Sequence, residues 1–277
     1  MTMSDEDPAL RRILVALDVS EQSRAALESA ARLAAGLQAE LVGLFVEDSE
    51  LLQVAELPVT RLIGPQGPAR LDAALLRRAF RVQAAEARQT LERTAEQWHV
   101  KWSFQVTRGA AAEAVVAEAR QFDLVALGRT SRPAARTAPL GATARQAALS
   151  ASCSVLVSRG GQRPGCPLLA LYEGTNRLLP IAADLSRVYA CGLIVKVAAR
   201  DPESAAELEA EARGWLQKHG IPGRIERATG TDPQALRDIV RESNAGLLVL
   251  DPRGPLTAQL DLESLLEQQE VPVLLLR

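Results

Sequence analysis

Small residues at a fixed spacing in the first half of the chain have the pattern of a phosphate-binding turn. Gly128 follows the apolar run 123–127, Ser131 comes after two intervening residues, and Gly141 comes after nine more, directly before Ala142. A buried strand that ends in such a turn and leads into a helix can hold a phosphate, because backbone N–H groups and the helix dipole point at the anion. The spacing therefore predicts an anion site between a strand end and a helix start.

The composition sets bounds on the whole molecule. The chain has 277 residues, of which 47% are hydrophobic and 24% charged, with a formal charge of -2, and this length is enough for two compact domains. No apolar stretch approaches the roughly 20 residues that span a bilayer, and the acidic N-terminus lacks the layout of a signal peptide, so we expect a cytoplasmic protein without a membrane partner. The near-neutral charge and the few aromatic residues argue against nucleic acid as a partner.

Short apolar runs alternate with helical patterns along the whole chain, which predicts βαβ units and a parallel sheet covered on both faces. The second half repeats the first, and the polar stretch 158–167 is the predicted linker, so we expect domains at 1–160 and 167–277. The predicted strands are 13–17, 40–46, 101–106, 123–127 and 154–157, then 168–172, 192–197, 223–227, 246–250 and 271–276. The predicted helices of the first half are 21–36, 81–98, 110–121 and 141–150.

The stretch 47–79 has no counterpart in the second half. Its apolar residues argue against a free linker. One interpretation is a flap folded onto the carboxyl edge of the sheet. The other is a lid over a ligand or a docking surface for a protein partner.

The sequence resembles the universal stress protein family in its tandem two-domain form. The segments that carry the resemblance are 12–20, 39–46, 123–128 and 153–157. The resemblance implies an α/β fold of two tandem doubly wound parallel five-stranded sheets, each in the order 3-2-1-4-5, with a shorter second domain. It also implies pairing through the last strand and, in one subgroup of the family, ATP binding in the crevice between strands 1 and 4.

In family members that bind ATP, the loop reads Gly, two residues, Gly, nine residues, Gly, then Ser or Thr. Ser131 stands at the second glycine and Ala142 at the hydroxyl. A Cβ at a left-handed position and the loss of a phosphate hydrogen bond each cost about 1–2 kcal/mol, so together they weaken binding by roughly tenfold to a thousandfold. Thr143, one residue late, is a partial compensation. Arg129 has two interpretations, as a loop cation that attracts phosphate or as a solvated surface residue.

By family position, Asp18, Val19 and Val46 would lie near the base or ribose of a nucleotide. Asp18 has a second interpretation as the cap of the helix that begins near Glu21, a role for which Ser20 competes. No phosphate loop fits the second half, where 251–254 has the pattern of a tight turn. We expect that half to pair with the first as an internal partner, and a further homodimer stays open.

Three functions remain in competition. The first is a stress-response binding protein that holds ATP or another adenine nucleotide weakly, and the second is an adaptor that acts through protein partners without a nucleotide. The third is a slow ATPase or nucleotidyl transferase. The enzyme is disfavoured because the sequence predicts no catalytic or metal-binding residues: His99 and His219 both fall at helix ends, and the three cysteines lack zinc spacing.

Overall fold

The computed structural model describes residues 10–56, 61–64, 67–70, 72–130, 139–161 and 163–277. The elements of the first half are β1 (Arg12–Ala16), α1 (Glu21–Leu37), β2 (Glu40–Asp48), α2 (Ser49–Glu56), β3 (Arg61–Gly64), β4 (Gly67–Arg70), α3 (Ala73–Trp98), β5 (Trp102–Gly109), α4 (Ala111–Ala119), β6 (Leu124–Gly128), α5 (Ala142–Ser150) and β7 (Ser154–Ser158). The elements of the second half are β8 (Leu168–Tyr172), α6 (Leu178–Val188), β9 (Leu193–Val197), α7 (Pro202–Lys218), β10 (Gly223–Arg227), α8 (Pro233–Glu242), β11 (Leu247–Leu250), a 3-10 turn (Thr257–Gln259), α9 (Leu262–Gln268) and β12 (Val273–Leu275).

The strand order confirms the predicted topology in each half. The large sheet runs β10-β9-β8-β11-β12-β7-β6-β1-β2-β5, so each half has the order 3-2-1-4-5 of its own strands. The halves do not form two separate sheets, however. Antiparallel pairing of β7 with β12, with Leu156 opposite Leu274, joins them into one sheet of ten strands. The apolar last strand is therefore consumed by internal pairing.

Helices cover both faces of this sheet, so its strands are apolar on both sides. Along β6, Leu124 and Ala126 belong to the apolar cluster under α1, α3, α6 and α7. Val125 and Leu127 belong to the cluster under α4, α5, α8 and α9. This alternation follows from the two-residue period of a strand.

The two halves also meet through their helices. On one face α1 packs against α6, where Arg32 Nη2 donates to the Tyr189 carbonyl oxygen at 3.0 Å and its guanidinium lies 4.7 Å over the Tyr189 ring. On the other face α5 packs against α9. The Arg277 guanidinium donates to the Ala147, Ala148 and Ala151 carbonyl oxygens at the C-terminal end of α5. We call this whole junction, with the β7–β12 pair, the seam.

The bounds of the elements around the stretch 47–79 differ from the prediction. β2 continues to Asp48, α2 and the β3–β4 hairpin follow, and α3 begins at Ala73 rather than Arg81. The early start has a local cause, since the Asp72 side chain caps the helix by accepting the Ala74 N–H at 2.7 Å. α2 packs on α3 and buries Leu52 at 6% exposure.

Candidate functional site

The crevice between β1 and β6 lies at the point where the strand order reverses, which is where open α/β sheets bind ligands. Gly128 ends β6 and touches the first turn of α1. A Cβ at this position would lie 2.9 Å from both Gln22 C and Ser23 N, closer than such atoms approach. The glycine is therefore required by packing, whether or not a ligand binds. The Gln22 side chain also enters the loop, since its Oε1 accepts the Thr130 N–H at 3.0 Å.

Gly141 is the N-cap of α5 and closes the other end of the loop. Its N–H donates to the Arg129 carbonyl oxygen at 2.8 Å, and a Cβ there would lie 3.2 Å from the same oxygen. No side chain among the described residues caps α5, and Ala142 is exposed at its first position, followed by half-buried Thr143. The helix thus presents its first turn of N–H groups without a side-chain acceptor, the arrangement that attracts an anion. Ser131 lies outside the described residues.

Asp18 and Val19 lie together beside a shallow groove that is open to solvent. The groove is lined by Leu17, Asp18, Val19, Arg24, Glu86, Ala87 and Thr90. The space enclosed in the groove is about 10 Å³, room for about one water molecule, whereas typical ligand sites enclose roughly 300–1,000 Å³. Val46 is not part of this lining and packs instead against the apolar cluster under α4 and α5.

The N-cap of α1 is Ser20, whose Oγ accepts the Ser23 N–H at 3.1 Å. Asp18 shapes the turn before it, since its Oδ1 accepts the Ser20 N–H at 2.8 Å. Of the two capping candidates, Ser20 is therefore the residue that caps α1. Asp18 is half-buried at the edge of the groove.

Arg129 does not face the groove. Its side chain is buried, at 2% exposure, and its Nη1 donates to the Glu267 carbonyl oxygen in α9 at 3.2 Å. The Nε and Nη2 atoms have no hydrogen-bond partner in the part of the chain that the structure describes. Burial lowers the pKa of Arg129 and the nearby Arg159 lowers it further, while the Glu267 carboxylate acts in the opposite direction. The predicted loop cation is therefore directed toward the second half.

Sequence reasoning missed Glu267, which also contacts the loop through its side chain. Its Oε1 accepts the Leu140 N–H at 2.9 Å, one residue before the N-cap of α5. On the same helix Glu263 pairs with Arg145 of α5 at 3.4 Å. The spacing of four between Glu263 and Glu267 was the available signal, because acidic residues on one helix face complement a basic loop.

The matching crevice of the second half is filled by its own side chain. Ile13 pairs with the first residue of β6, and Leu168 pairs with the first residue of β11, so these two residues are equivalent in the two halves. Five residues further on, Glu173 therefore occupies the position of Asp18. Its Oε2 accepts the Leu256 N–H at 2.6 Å and the Thr257 N–H at 3.3 Å. A carboxylate of the protein thus occupies the position that a bound anion would need. After β11, the Asp251 side chain accepts the Arg253 N–H at 2.8 Å, in agreement with the predicted tight turn.

Two further kinds of site concern the described residues: a metal site and histidines that could take part in catalysis. No group of three or more His, Cys, Asp or Glu side chains there is arranged to hold a metal ion. His99 is the C-cap of α3, and His219 ends α7 with its Nδ1 at 2.8 Å from the Trp215 carbonyl oxygen. Both histidines therefore serve helix ends, as the sequence predicted. No described helix is both long and apolar enough to cross a bilayer.

Comparison with known proteins agrees with this architecture. A sequence profile described as the universal stress protein family matches residues 9–159. Among curated proteins, none is a significant match to the sequence.

Solved structures match over nearly the whole chain. A universal stress protein from Archaeoglobus fulgidus DSM 4304 is 16% identical, with a TM-score of 0.71 over 96% of each chain. A putative universal stress protein from Pseudomonas aeruginosa UCBPP-PA14 is 19% identical, with a TM-score of 0.59 over 97% of this chain and 94% of that one. A functionally unknown protein from Pseudomonas aeruginosa PAO1 is 18% identical, with a TM-score of 0.62 over 97% and 93%. At these identities the likeness shows the fold.

Proposed function

The chain belongs to the universal stress protein family, and on that premise we propose that it is a stress-response binding protein whose first half takes an adenine nucleotide weakly. The phosphates would lie over the first turn of α5, and the base and ribose beside Asp18 and Val19. We also propose that 1–160 and 167–277 act as two domains. Only the first would bind the nucleotide, because Glu173 fills the crevice of the second.

One observation carries this proposal: α5 starts at the crevice without a side-chain cap. Gly141 brings its backbone against the Arg129 carbonyl oxygen, and Ala142 leaves the first turn open. Backbone N–H groups at such a helix start favour a phosphate through hydrogen bonds and the dipole. The small groove and the missing hydroxyl at Ala142 both support weak rather than tight binding.

Ala142 offers a matched pair of variants that separates phosphate binding from folding. Ala142→Ser adds a hydroxyl, and we expect it to tighten ATP binding about tenfold, since a bond to a charged group contributes about 1.5 kcal/mol. Ala142→Asp adds a negative charge that favours the helix dipole but repels phosphate, so we expect weaker ATP binding with no loss of thermal stability. Both variants lie at an exposed position.

The measurement is calorimetric titration of ATP, ADP and AMP into protein that has been stripped of copurified small molecules. Opposite shifts of affinity for the two variants would support a phosphate over α5. The combined change Ser131→Gly and Ala142→Ser restores both loop residues of the ATP-binding relatives and should bind most tightly. Absence of heat from all variants at millimolar nucleotide would contradict the proposal.

That negative result would favour the nucleotide-independent adaptor. A specific feature supports this second candidate: α2 and the start of α3 carry exposed large apolar side chains. Leu51, Val54 and Leu75 are 48%, 43% and 63% exposed. Such residues form contact surfaces for other proteins.

A further inference from the structure

The start of α5 and the buried Arg129 meet the second half at one residue, Glu267. The Glu267 side chain accepts the Leu140 N–H at 2.9 Å, and its carbonyl oxygen accepts Arg129 Nη1 at 3.2 Å. Leu140 immediately precedes the N-cap of α5. A carboxylate from the second half therefore lies at the anion-attracting end of the helix that closes the loop.

The charges at this position are incompletely matched. Arg129 is buried, and its Nε and Nη2 atoms have no hydrogen-bond partner among the described residues. A guanidinium keeps its proton even when burial opposes the charge. A buried cation needs anionic partners, because desolvation without pairing is strongly unfavourable. Glu267 provides one negative charge but leaves two guanidinium nitrogens without an acceptor.

We propose that Glu267 is an internal anion that competes with a phosphate group for the start of α5 and Arg129. A phosphate that enters accepts hydrogen bonds from Arg129 Nε and Nη2 and from the first turn of α5, and it displaces the Glu267 carboxylate from Leu140. If the ligand is a nucleotide, this inference rests on the proposed function. The same hydrogen bonds also suit free phosphate.

This competition couples the two halves. When Glu267 leaves the loop, α9 loses a contact with the first half, so ligand binding weakens the seam on the α5 side. Because such coupling is reciprocal, any change that loosens α9 also favours ligand binding. The second half thus regulates the loop of the first.

The test compares Glu267→Gln with Glu263→Gln. The first removes the competing charge and keeps an acceptor for Leu140. The second removes a charge from the same helix that pairs with Arg145 on the surface, where the two side chains are 55% (Arg145) and 41% (Glu263) exposed. Inorganic phosphate and ATP are titrated separately, by calorimetry and by amide NMR of Leu140 and Thr143. We expect Glu267→Gln to tighten binding about tenfold and Glu263→Gln to leave it unchanged.

The two ligands separate this inference from the proposed function. Tighter binding of inorganic phosphate by Glu267→Gln without any ATP binding supports the competition and overturns the nucleotide proposal. Equal ATP affinity in wild type and Glu267→Gln overturns the competition and leaves the nucleotide proposal standing. If Glu267→Gln does not fold, wild type decides: phosphate must shift the Leu140 amide, and an unmoved Leu140 resonance at saturating phosphate overturns the inference.

Discussion

Gly36 provides the sharpest test of how the two halves pack. It lies near the end of α1, at the contact with α6. A Cβ at Gly36 would lie 2.4 Å from Val188 Cγ2, 2.7 Å from Cγ1 and 3.0 Å from Cβ. Carbon atoms approach favourably at about 3.5–4.0 Å, so Gly36→Ala must separate α1 from α6 or distort Val188. Val188 cannot rotate away easily, because a β-branched side chain in a helix strongly prefers one rotamer.

Two opposing effects determine the size of the change. Alanine in a helix is favoured over glycine by about 0.5–1 kcal/mol. Overpacking a close contact costs about 1–3 kcal/mol. We therefore expect Gly36→Ala to lower the free energy of unfolding by about 1 kcal/mol, within the range of about 0–2.5 kcal/mol that these two effects allow.

Urea titration measures this change, and α7 contains the matched control. Gly214 is exposed, and a Cβ there would meet nothing within 4 Å, so Gly214→Ala should raise the free energy of unfolding by about 0.5–1 kcal/mol. Adding Val188→Ala should recover part of the loss in Gly36→Ala, because it removes the two methyl groups. If Gly36→Ala stabilises the protein as Gly214→Ala does, α1 and α6 do not pack as described.

Two further predictions concern the seam and the buried thiol and phenol groups. Arg277→Ala should lower the free energy of unfolding in urea by about 1–2 kcal/mol, because it removes the cap from the C-terminal carbonyl groups of α5; exposed Arg224→Ala is the control, and an equal effect of the two would contradict the capping role. Burial raises the pKa of Cys153 from 9.0 to about 11 and raises the pKa values of Tyr172 and Tyr189. These groups hold their protons more tightly in the folded than in the unfolded chain, so stability should be full below about pH 9 and fall as the pH rises toward 11. Cys153→Ala should reduce that fall, and a flat stability between pH 9 and 11 would refute it. At pH 8 an alkylating reagent should modify the half-exposed Cys166 and Cys191 before Cys153.

The strands were predictable from the sequence because each is a short apolar run between helical patterns. Predicted and observed bounds agree closely, as for 168–172 and Leu168–Tyr172. The strand order came from the family resemblance, and β7–β12 pairing agrees with the expected role of the last strand. The insertion was less predictable, because α2 has only eight residues and is shorter than the window of about 11–18 residues over which a helical period can be recognised.

The site was predictable only in part, because its residues owe their positions to packing across the chain. The spacing located Gly128 and Gly141 correctly at the two ends of the loop. It marked Arg129 as a loop cation, but it did not show that the side chain donates to the carbonyl oxygen of Glu267, which is 138 residues away in sequence. No local pattern reports such a contact, since it depends on the antiparallel joining of β7 and β12.

In both halves a carboxylate accepts backbone N–H groups of the segment after the fourth strand. The two carboxylates differ in how firmly their surroundings hold them. Glu173 is 9% exposed, and a Cβ on Gly254 would lie 2.7 Å from its Oε2, so the second crevice is closed by residues of its own half. Glu267 is half-buried and reaches the first loop from the other half, on the seven-residue helix α9. It can leave the loop without disrupting the strands that form the crevice. Under the proposed competition, the repeat has one site filled by its own half and one site whose internal anion exchanges with a ligand, and only the second kind can report on a ligand.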